Sequence, residues 1–232
     1  MQRTSAGHAS RWSTPLHYGH LVSSATGTLD WQPLLDHLDL VAPAVAAAAD
    51  QLPGARVACI DATLADTAAF CTAYDIAMEA SANCVIVAGR RGEVTRHAAV
   101  LVLATMRADV NGVIRRELDA RKCSFAPQAD AVALTQMEFG GITPVGLPAE
   151  WPIFVDEAVA AAGDVVIGSG LRRSKILVPA GVLLGLAGAR SLRLAGHFAL
   201  TDFAATYLAL GLGMDPGLSP HVADLRDRTT DF

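Results

Sequence analysis

Short runs of apolar residues recur through the middle of the chain and predict strands. Most runs are continuous and are bounded by glycine, proline or charged residues, as strands in a sheet commonly are. The predicted strands are residues 55–60, 83–89, 97–104, the first half of 151–161, 164–170, 174–180 and 190–196. The second and third runs are close together, and we expect a hairpin whose turn residues are Gly89 to Gly92.

Other segments carry apolar residues at helical spacing. The predicted helices are residues 31–52, broken at Pro43, then 62–76, 108–120, 128–136, the second half of 151–161 and 180–189. Asp61 or Thr63 is expected to cap the helix of residues 62–76, and Asp109 the helix of residues 108–120. An oxygen-bearing side chain at that position can accept hydrogen bonds from the free N–H groups of the first turn.

The order of these elements predicts an α+β domain with a mixed, mostly antiparallel sheet flanked by helices. A doubly wound sheet would alternate strictly between strands and helices, and this chain does not. Residues 1–28 are polar without a clear period and are interpreted as a loose extension of the domain at 29–196. Residues 197–232 are interpreted as a separate helical tail, with an amphipathic helix at 201–212.

Composition favours a folded domain in the cytoplasm. Hydrophobic residues make up 52% of the chain and charged residues 18%, which is enough apolar material for a core. We find no apolar run that could span a membrane and no secretory signal. The net charge of −5 argues against a surface built for DNA or for non-specific nucleic-acid binding, but it leaves room for a local basic patch.

The usual sites for metals, cofactors and covalent nucleophiles are missing from the sequence. The four cysteines, at 59, 71, 84 and 123, form no C-x-x-C pair, so we expect reduced thiols and no metal site. GSGLRR at 168–173 lacks the third glycine of a dinucleotide motif, and no cofactor is predicted. One alternative is that Cys84 and His97 meet across the hairpin as a thiol–imidazole pair, but a core cysteine and a strand-end histidine are favoured.

One loop, EFGGITPVGLP at Glu138–Pro148, has three glycines and two prolines in eleven residues. It cannot be the interior of a helix or of a central strand. Residues Gly140 to Pro144 would present backbone N–H groups without side chains in the way, which suits the binding of an anionic or carbonyl oxygen. A tight turn between a helix and a strand is the alternative that the pattern alone favours.

Three segments in order, GGITPVGLP, IFVDEAV and VVIGSGLRRSKILVPAGVLLGLAGA, resemble the YbaK/EbsC family. These proteins are stand-alone relatives of the editing domain found in bacterial prolyl-tRNA synthetases. The resemblance covers about residues 50–195 and implies an α+β domain that hydrolyses the ester of a mischarged aminoacyl-tRNA. It places the grip on the ester at Gly140, Gly141, Thr143 and Pro144, and the backbone amides of the two glycines would stabilise developing negative charge. It implies water attack assisted by the 2′-hydroxyl of the substrate.

The resemblance also implies a set of residues that line the substrate pocket: Asn83, Asp156, Gly168, Gly170 and Arg172. Asn83 is a departure from the family, whose deacylases carry a lysine at this position. An asparagine supplies neutral hydrogen bonds and a shorter reach. Two alternatives therefore stay open: a catalytically silent module that binds tRNA ends or a synthetase, and a protein that binds a small nucleotide.

Basic residues supply the expected contacts with tRNA. Arg107, Arg115 and Arg116 lie in or next to ADVNGVIRRELDA, which also resembles the family, and they could meet the phosphates of the acceptor stem. An exposed helix face is the alternative interpretation. The expected partners are aminoacyl-tRNA and an aminoacyl-tRNA synthetase.

Overall fold

The computed structural model describes residues 24–194, in which nine strands form two sheets. In chain order they are β1 Gln32–Pro33, β2 Arg56–Cys59, β3 Ala82–Arg91, β4 Val94–Leu103, β5 Lys122–Phe125, β6 Ile153–Asp156, β7 Asp164–Gly168, β8 Ser174–Pro179 and β9 Ala189–Leu192. The helix predicted at 201–212 and most of the extension predicted at 1–28 lie outside these residues.

The two sheets differ in their strand directions. The larger has the order β5-β3-β4-β6-β9, in which β5, β3 and β4 are antiparallel and β6 and β9 join in parallel. The smaller has the order β1-β2-β8-β7 and is antiparallel throughout. The prediction of an α+β domain with a mixed, mostly antiparallel sheet is confirmed, and the strands are divided between two sheets.

The helices are short. They are α1 Pro43–Ala47, α2 Thr67–Tyr74, α3 Arg115–Glu117, α4 Gln128–Thr135, α5 Glu157–Ala160 and α6 Ala180–Leu183. Several 3₁₀ turns join them, and a π-helix at Val110–Ile114 runs directly into α3. None of the helices between residues 24 and 194 has both the length and the apolar character needed to cross a membrane.

Three apolar clusters hold these layers together. The largest fills the space between the sheets and includes Leu101, Ile176 and Val178, all fully buried. The second lies between the larger sheet and the π-helix with α3. The third packs Phe70 of α2 against Leu177 of β8 and closes the outer face of the smaller sheet. Since β8 has apolar clusters on both faces, each of its residues from Ser174 to Val178 is buried.

Several predicted boundaries change in the structure. The hairpin is confirmed, but β3 continues to Arg91, so the turn is Gly92–Glu93 and Gly89 is a buried strand residue. Helix α2 begins at Thr67 and is capped by Asp66, whereas Asp61 caps a separate 3₁₀ turn. Asp109 caps the π-helix, as predicted. Strand β5 was not predicted, because KCSF is a short edge strand with few apolar residues.

Candidate functional site

A cleft of about 470 Å³ opens where the two sheets meet. One wall is the first half of β3, and the opposite wall is the end of β7 with Lys175 of β8. The start of α2, the end of β5 and the start of α4 form the sides, and Phe139, Gly140 and Ile142 of the glycine loop form the rim. The cleft therefore exists only because both sheets and the loop come together.

The glycine loop is tied to the turn between β7 and β8 by a backbone ladder. The N–H of Glu138 donates to the carbonyl of Gly170 at 2.8 Å, and the N–H of Gly170 donates to the carbonyl of Gly141 at 2.7 Å. The two glycine-containing segments that the sequence singled out are thus one structural unit. Gly170 serves this ladder and is not part of the cleft lining.

Arg172 fastens the same two segments through its side chain. Its Nη1 donates to the carbonyl of Phe139 at 3.0 Å, and its Nη2 donates to the carbonyl of Ala62 at 2.9 Å. Its backbone N–H donates to the Glu138 carboxylate at 2.6 Å. Arg172 was predicted to line the pocket, but the structure places it behind the loop, where it fixes the position of Gly140.

Close approach explains why glycine is needed at this junction. A Cβ on Gly168 would lie 2.3 Å from the carbonyl oxygen of Gly141, and a Cβ on Gly141 would lie 2.6 Å from the backbone of Leu171. Both contacts are shorter than any real Cβ accepts. Gly140 has a φ of +88°, in the left-handed region that glycine tolerates best.

The two amides predicted to bind negative charge are not equivalent. The N–H of Gly141 already donates to the carbonyl of Glu138 at 2.9 Å. Within residues 24–194, the N–H of Gly140 has no hydrogen-bond acceptor, and Gly140 is exposed at the rim of the cleft. Gly140 is therefore the amide that is available to a ligand.

Lys175 is a functional candidate that the sequence analysis did not identify. It lines the cleft and is only 7% exposed. Burial and the nearby Arg172 guanidinium lower the pKa of Lys175 to about 8, while Cys71 and Asp66 act in the opposite direction. A signal did exist in the sequence, since a lone lysine stands directly before the apolar residues 176–180 in a predicted strand, and the structure buries residues 174–178.

Asn83 lies on β3, in the cleft wall. Its side-chain oxygen accepts a hydrogen bond from Thr67 Oγ1 at 2.7 Å. Thr67 is the first residue of α2, so Asn83 links the sheet to the start of that helix. The side-chain NH₂ group remains as a donor toward a ligand.

The cysteine in the cleft is not an activated nucleophile. Burial raises the pKa of the Cys84 thiol well above its usual range, so the thiol stays neutral. Cys84 pairs across the hairpin with Leu101, whereas His97 pairs with Ala88 and stacks on Trp151. The thiol–imidazole pair is therefore not formed.

Three other predicted site residues lie outside the cleft lining. Thr143 is completely buried, and its hydroxyl has no hydrogen-bond partner within the described residues. Pro144 is also buried and shapes the loop from inside. Asp156 caps α5 through Ala158 and accepts a hydrogen bond from the N–H of Leu194 at 2.7 Å. These residues support the fold around the site.

The predicted tRNA-contacting arginines do not form one patch. Arg115 lines a basic hollow beside β5 that also contains Arg90, Arg121 and Lys122 and no carboxylate. Arg90 and Lys122 are directly opposite each other on β3 and β5, a like-charge pairing that Glu93 offsets in part through its ion pair with Arg90 at 4.0 Å. Arg107 and Arg116 are exposed and do not line this hollow.

Two large aromatic side chains stand exposed at the mouth of the cleft. Phe125 is 57% exposed and Phe139 is 51% exposed, although both line the cleft. Phe125 ends β5, and the preceding residues Lys122 and Ser124 line the basic hollow. The hollow and the cleft therefore adjoin along this strand.

Residues 61–184, more than half of the chain, match the family model described as the aminoacyl-tRNA editing domain. The chain belongs to this family. The resemblance to YbaK-like proteins is thereby confirmed, and the matched segment contains every element that forms the cleft wall. No match was found among curated protein sequences.

Solved structures share the fold at low sequence identity. One is described as a candidate trans-editing enzyme for prolyl tRNA synthetase, with a TM-score of 0.57 and 21% identity over 67% of this chain and 99% of the other. A scaffold protein from work on epitope backbone grafting matches with a TM-score of 0.57 and 22% identity, over the same shares of the two chains. The hypothetical protein APE2540 matches with a TM-score of 0.55 and 18% identity, over 61% of this chain and 91% of the other. At these identities the likeness shows the fold alone.

Proposed function

We propose that this editing domain is a trans-editing deacylase, which hydrolyses the ester between a wrongly attached amino acid and the 3′ end of tRNA. Water attacks the ester carbonyl carbon, the carbon–oxygen bond to the ribose breaks, and a proton passes to the ribose oxygen. The neighbouring 2′-hydroxyl assists the water, so the protein has to position the ester and needs no covalent nucleophile. The neutral thiol of Cys84 is consistent with this route.

The observation that carries the proposal is the rigid placement of a free amide at the rim of the cleft. Gly140 N–H has no acceptor in the part of the chain that the structure describes, while the loop around it is fixed by the ladder to Gly170 and by Arg172. A fixed donor of this kind stabilises the charge that develops on a carbonyl oxygen without reorganising during the reaction. Asn83 and Gly168 then form the walls that hold the aminoacyl group.

The acceptor end of the tRNA would approach along β5. Phe125 and Phe139 offer flat apolar faces at the mouth, on which the terminal adenine can stack. The basic hollow with Arg115 would hold backbone phosphates of the same strand. Arg107 and Arg116 remain more distant candidates for tRNA contact, and a synthetase partner would supply tRNA specificity.

A silent binding module is the second candidate function, favoured by one observation. Asn83 stands where deacylases of the YbaK type carry a lysine, and its side-chain oxygen is engaged with Thr67. Such a module would bind tRNA ends or a synthetase without releasing the amino acid.

Deacylation of a panel of mischarged tRNAs by the purified protein tests the proposal. The panel includes alanyl-, seryl- and cysteinyl-tRNA(Pro). We expect at least one ester to be cleared, and Gly140→Ala to slow that reaction about 10- to 100-fold, because a shift of the loop misplaces the ester. Gly163→Ala is the matched control: Gly163 has a φ of +75°, but nothing surrounds it, and it is not in the cleft lining.

The outcomes separate the two functions. Equal loss in both glycine variants would indicate general strain and count against the loop as the grip. A parent protein that binds but clears no ester, together with a gain of activity in Asn83→Lys, would support the silent module.

A further inference from the structure

Lys175 is the one lysine buried in the cleft, and it reaches the site from the smaller sheet. The chain has only two lysines, Lys122 and Lys175, against sixteen arginines. Lys175 Nζ lies 3.2 Å from the carbonyl oxygen of Ala65 and 3.4 Å from that of Gly140. It also lies 5.2 Å from the centre of the Phe70 ring. The side chain thus ends directly beneath the glycine loop.

No carboxylate lies within 4.0 Å of the Lys175 ammonium in the part of the chain that the structure describes. Among residues 24–194 it forms no ion pair. The charged or titratable groups that face it are Asp66 and Cys71 from the α2 side and Arg172 from the turn before β8. A buried cation without an ion pair is costly, and such groups are found mainly where a ligand or a reaction uses them.

The hydrogen-bond inventory leaves one donor for a ligand. A protonated lysine has three N–H groups, and the carbonyls of Ala65 and Gly140 can accept two of them. Because the pKa of Lys175 is about 8, the protonated form predominates at pH 7. Lys175 therefore contacts the carbonyl of Gly140, the same residue whose N–H has no acceptor among residues 24–194.

We propose that the Lys175 ammonium donates a hydrogen bond to the carbonyl oxygen of the ester, and that Lys175 replaces from β8 the charge that Asn83 no longer supplies from β3. This inference rests on the proposed deacylase function. The same ammonium repels the α-ammonium of the aminoacyl group, so the ester is oriented with its carbonyl toward Lys175. Developing negative charge on that oxygen is then stabilised in a partly dehydrated site.

The direction of the pH dependence distinguishes this role from general-base catalysis. If the ammonium is the active form, the enzyme-dependent rate constant falls as the pH rises through about 8. If the neutral amine removed a proton from water, the rate constant would rise over the same interval. An arginine keeps its charge through this range. The rate constant of Lys175→Arg, whatever its size, should therefore not fall as the pH rises through about 8.

The kinetic test uses the ester that the parent protein clears. We expect Lys175→Met to lower kcat about 100- to 1,000-fold with an unchanged circular dichroism spectrum. Asn83→Lys alone should lower activity, because it adds a second cation beside Lys175 in the wall that holds the aminoacyl group. Asn83→Lys combined with Lys175→Asn should recover at least about 10-fold of the loss, because the charge returns by the other route. A Lys175→Met protein within about 3-fold of the parent would overturn the proposal.

Amine labelling with acetic anhydride tests the residue without relying on catalysis. Peptide mass spectrometry would follow Lys175, with exposed Lys122 as the internal reference, across pH 6 to 10. The probe is a 3′-aminoacylamino-adenosine, an amide that cannot be hydrolysed as the ester is. We expect it to protect Lys175 and not Lys122. Protection of Lys175 without any deacylation would contradict the deacylase function but support the contact between Lys175 and the ligand. Deacylation without protection would support the deacylase function and contradict the contact.

Discussion

At the scale of single residues, the site is built from groups that are individually expensive to keep. Lys175 is a cation in a nearly closed environment, and the buried hydroxyl of Thr143 finds no hydrogen-bond partner among residues 24–194. Gly140 has a backbone conformation that most residues avoid. Each of these costs free energy of folding, so the surrounding structure must compensate for it.

The stability of the fold should report the charge of Lys175. Its pKa is lower in the folded protein than the usual value of 10.5, so between pH 8 and 10.5 the unfolded chain binds more protons. The free energy of unfolding of the parent should therefore rise relative to that of Lys175→Met across this interval, by about 2–3 kcal/mol. Urea unfolding at pH 7 and pH 10.5 measures the difference. Curves that stay parallel would show that the lysine is not buried as a cation.

At the scale of elements, the site depends on one junction between two loops. The glycine loop and the turn between β7 and β8 share backbone hydrogen bonds, and Arg172 joins both to the 3₁₀ turn that begins at Ala62. No helix or strand contributes this rigidity by itself. Tight packing between glycine-bearing backbones replaces regular secondary structure here.

The role of Arg172 as a fastener can be separated from substrate binding. We expect Arg172→Ala to increase amide hydrogen exchange at residues 138–141 about 10-fold and to lower kcat/KM by a similar factor, because two carbonyl contacts are lost. Arg173→Ala is the matched control, since Arg173 is exposed and donates to the carbonyl of Asp39 outside this junction.

Unchanged exchange at residues 138–141, combined with a large loss of activity, would point to direct substrate contact by Arg172. That result would favour the role that the sequence resemblance implied for this arginine.

At the scale of the whole molecule, the net charge is negative but one part of the surface is basic. The chain carries a net charge of −5, yet the hollow beside β5 gathers Arg90, Arg115, Arg121 and Lys122. Among residues 24–194 no carboxylate lines the hollow, although Glu93 pairs with Arg90 at 4.0 Å. A local field of this kind can orient an RNA strand even on an acidic protein. The end of that RNA strand would then bind at the adjoining mouth of the cleft, which Phe125 and Phe139 line.

Binding of tRNA should therefore weaken steeply as the salt concentration rises, and residues of the hollow should account for this dependence. The logarithm of the association constant falls linearly with the logarithm of the salt concentration. We expect Arg115→Ala and Arg121→Ala each to make the slope of that line less negative by roughly 1. Arg56→Ala is the control, because Arg56 pairs with Asp164 at 3.6 Å on the smaller sheet, outside this hollow. Fluorescence anisotropy with labelled tRNA from 50 to 300 mM salt provides the measurement. Equal slopes in all variants would remove the hollow from the proposed tRNA path.

The sequence alone determined the elements whose signal is local. Apolar runs bounded by charge located β3, β4, β7 and β8, and Asp109 marked a helix start, because strand pattern and capping depend on neighbouring residues. The order of motifs also identified the family, and the resemblance pointed to Asn83, Gly140 and Gly168, which line the cleft. These conclusions needed no contact between distant segments.

Only the tertiary structure decided which of the candidate residues meet. Asp156 and Arg172 fit the motif, but their hydrogen bonds turn them toward Leu194 and Phe139, so they support the site from outside. Lys175 became a site residue because β8 is covered on both faces and its side chain extends to the opposite loop. Long-range packing sets such orientations, and sequence spacing along one strand does not contain that information.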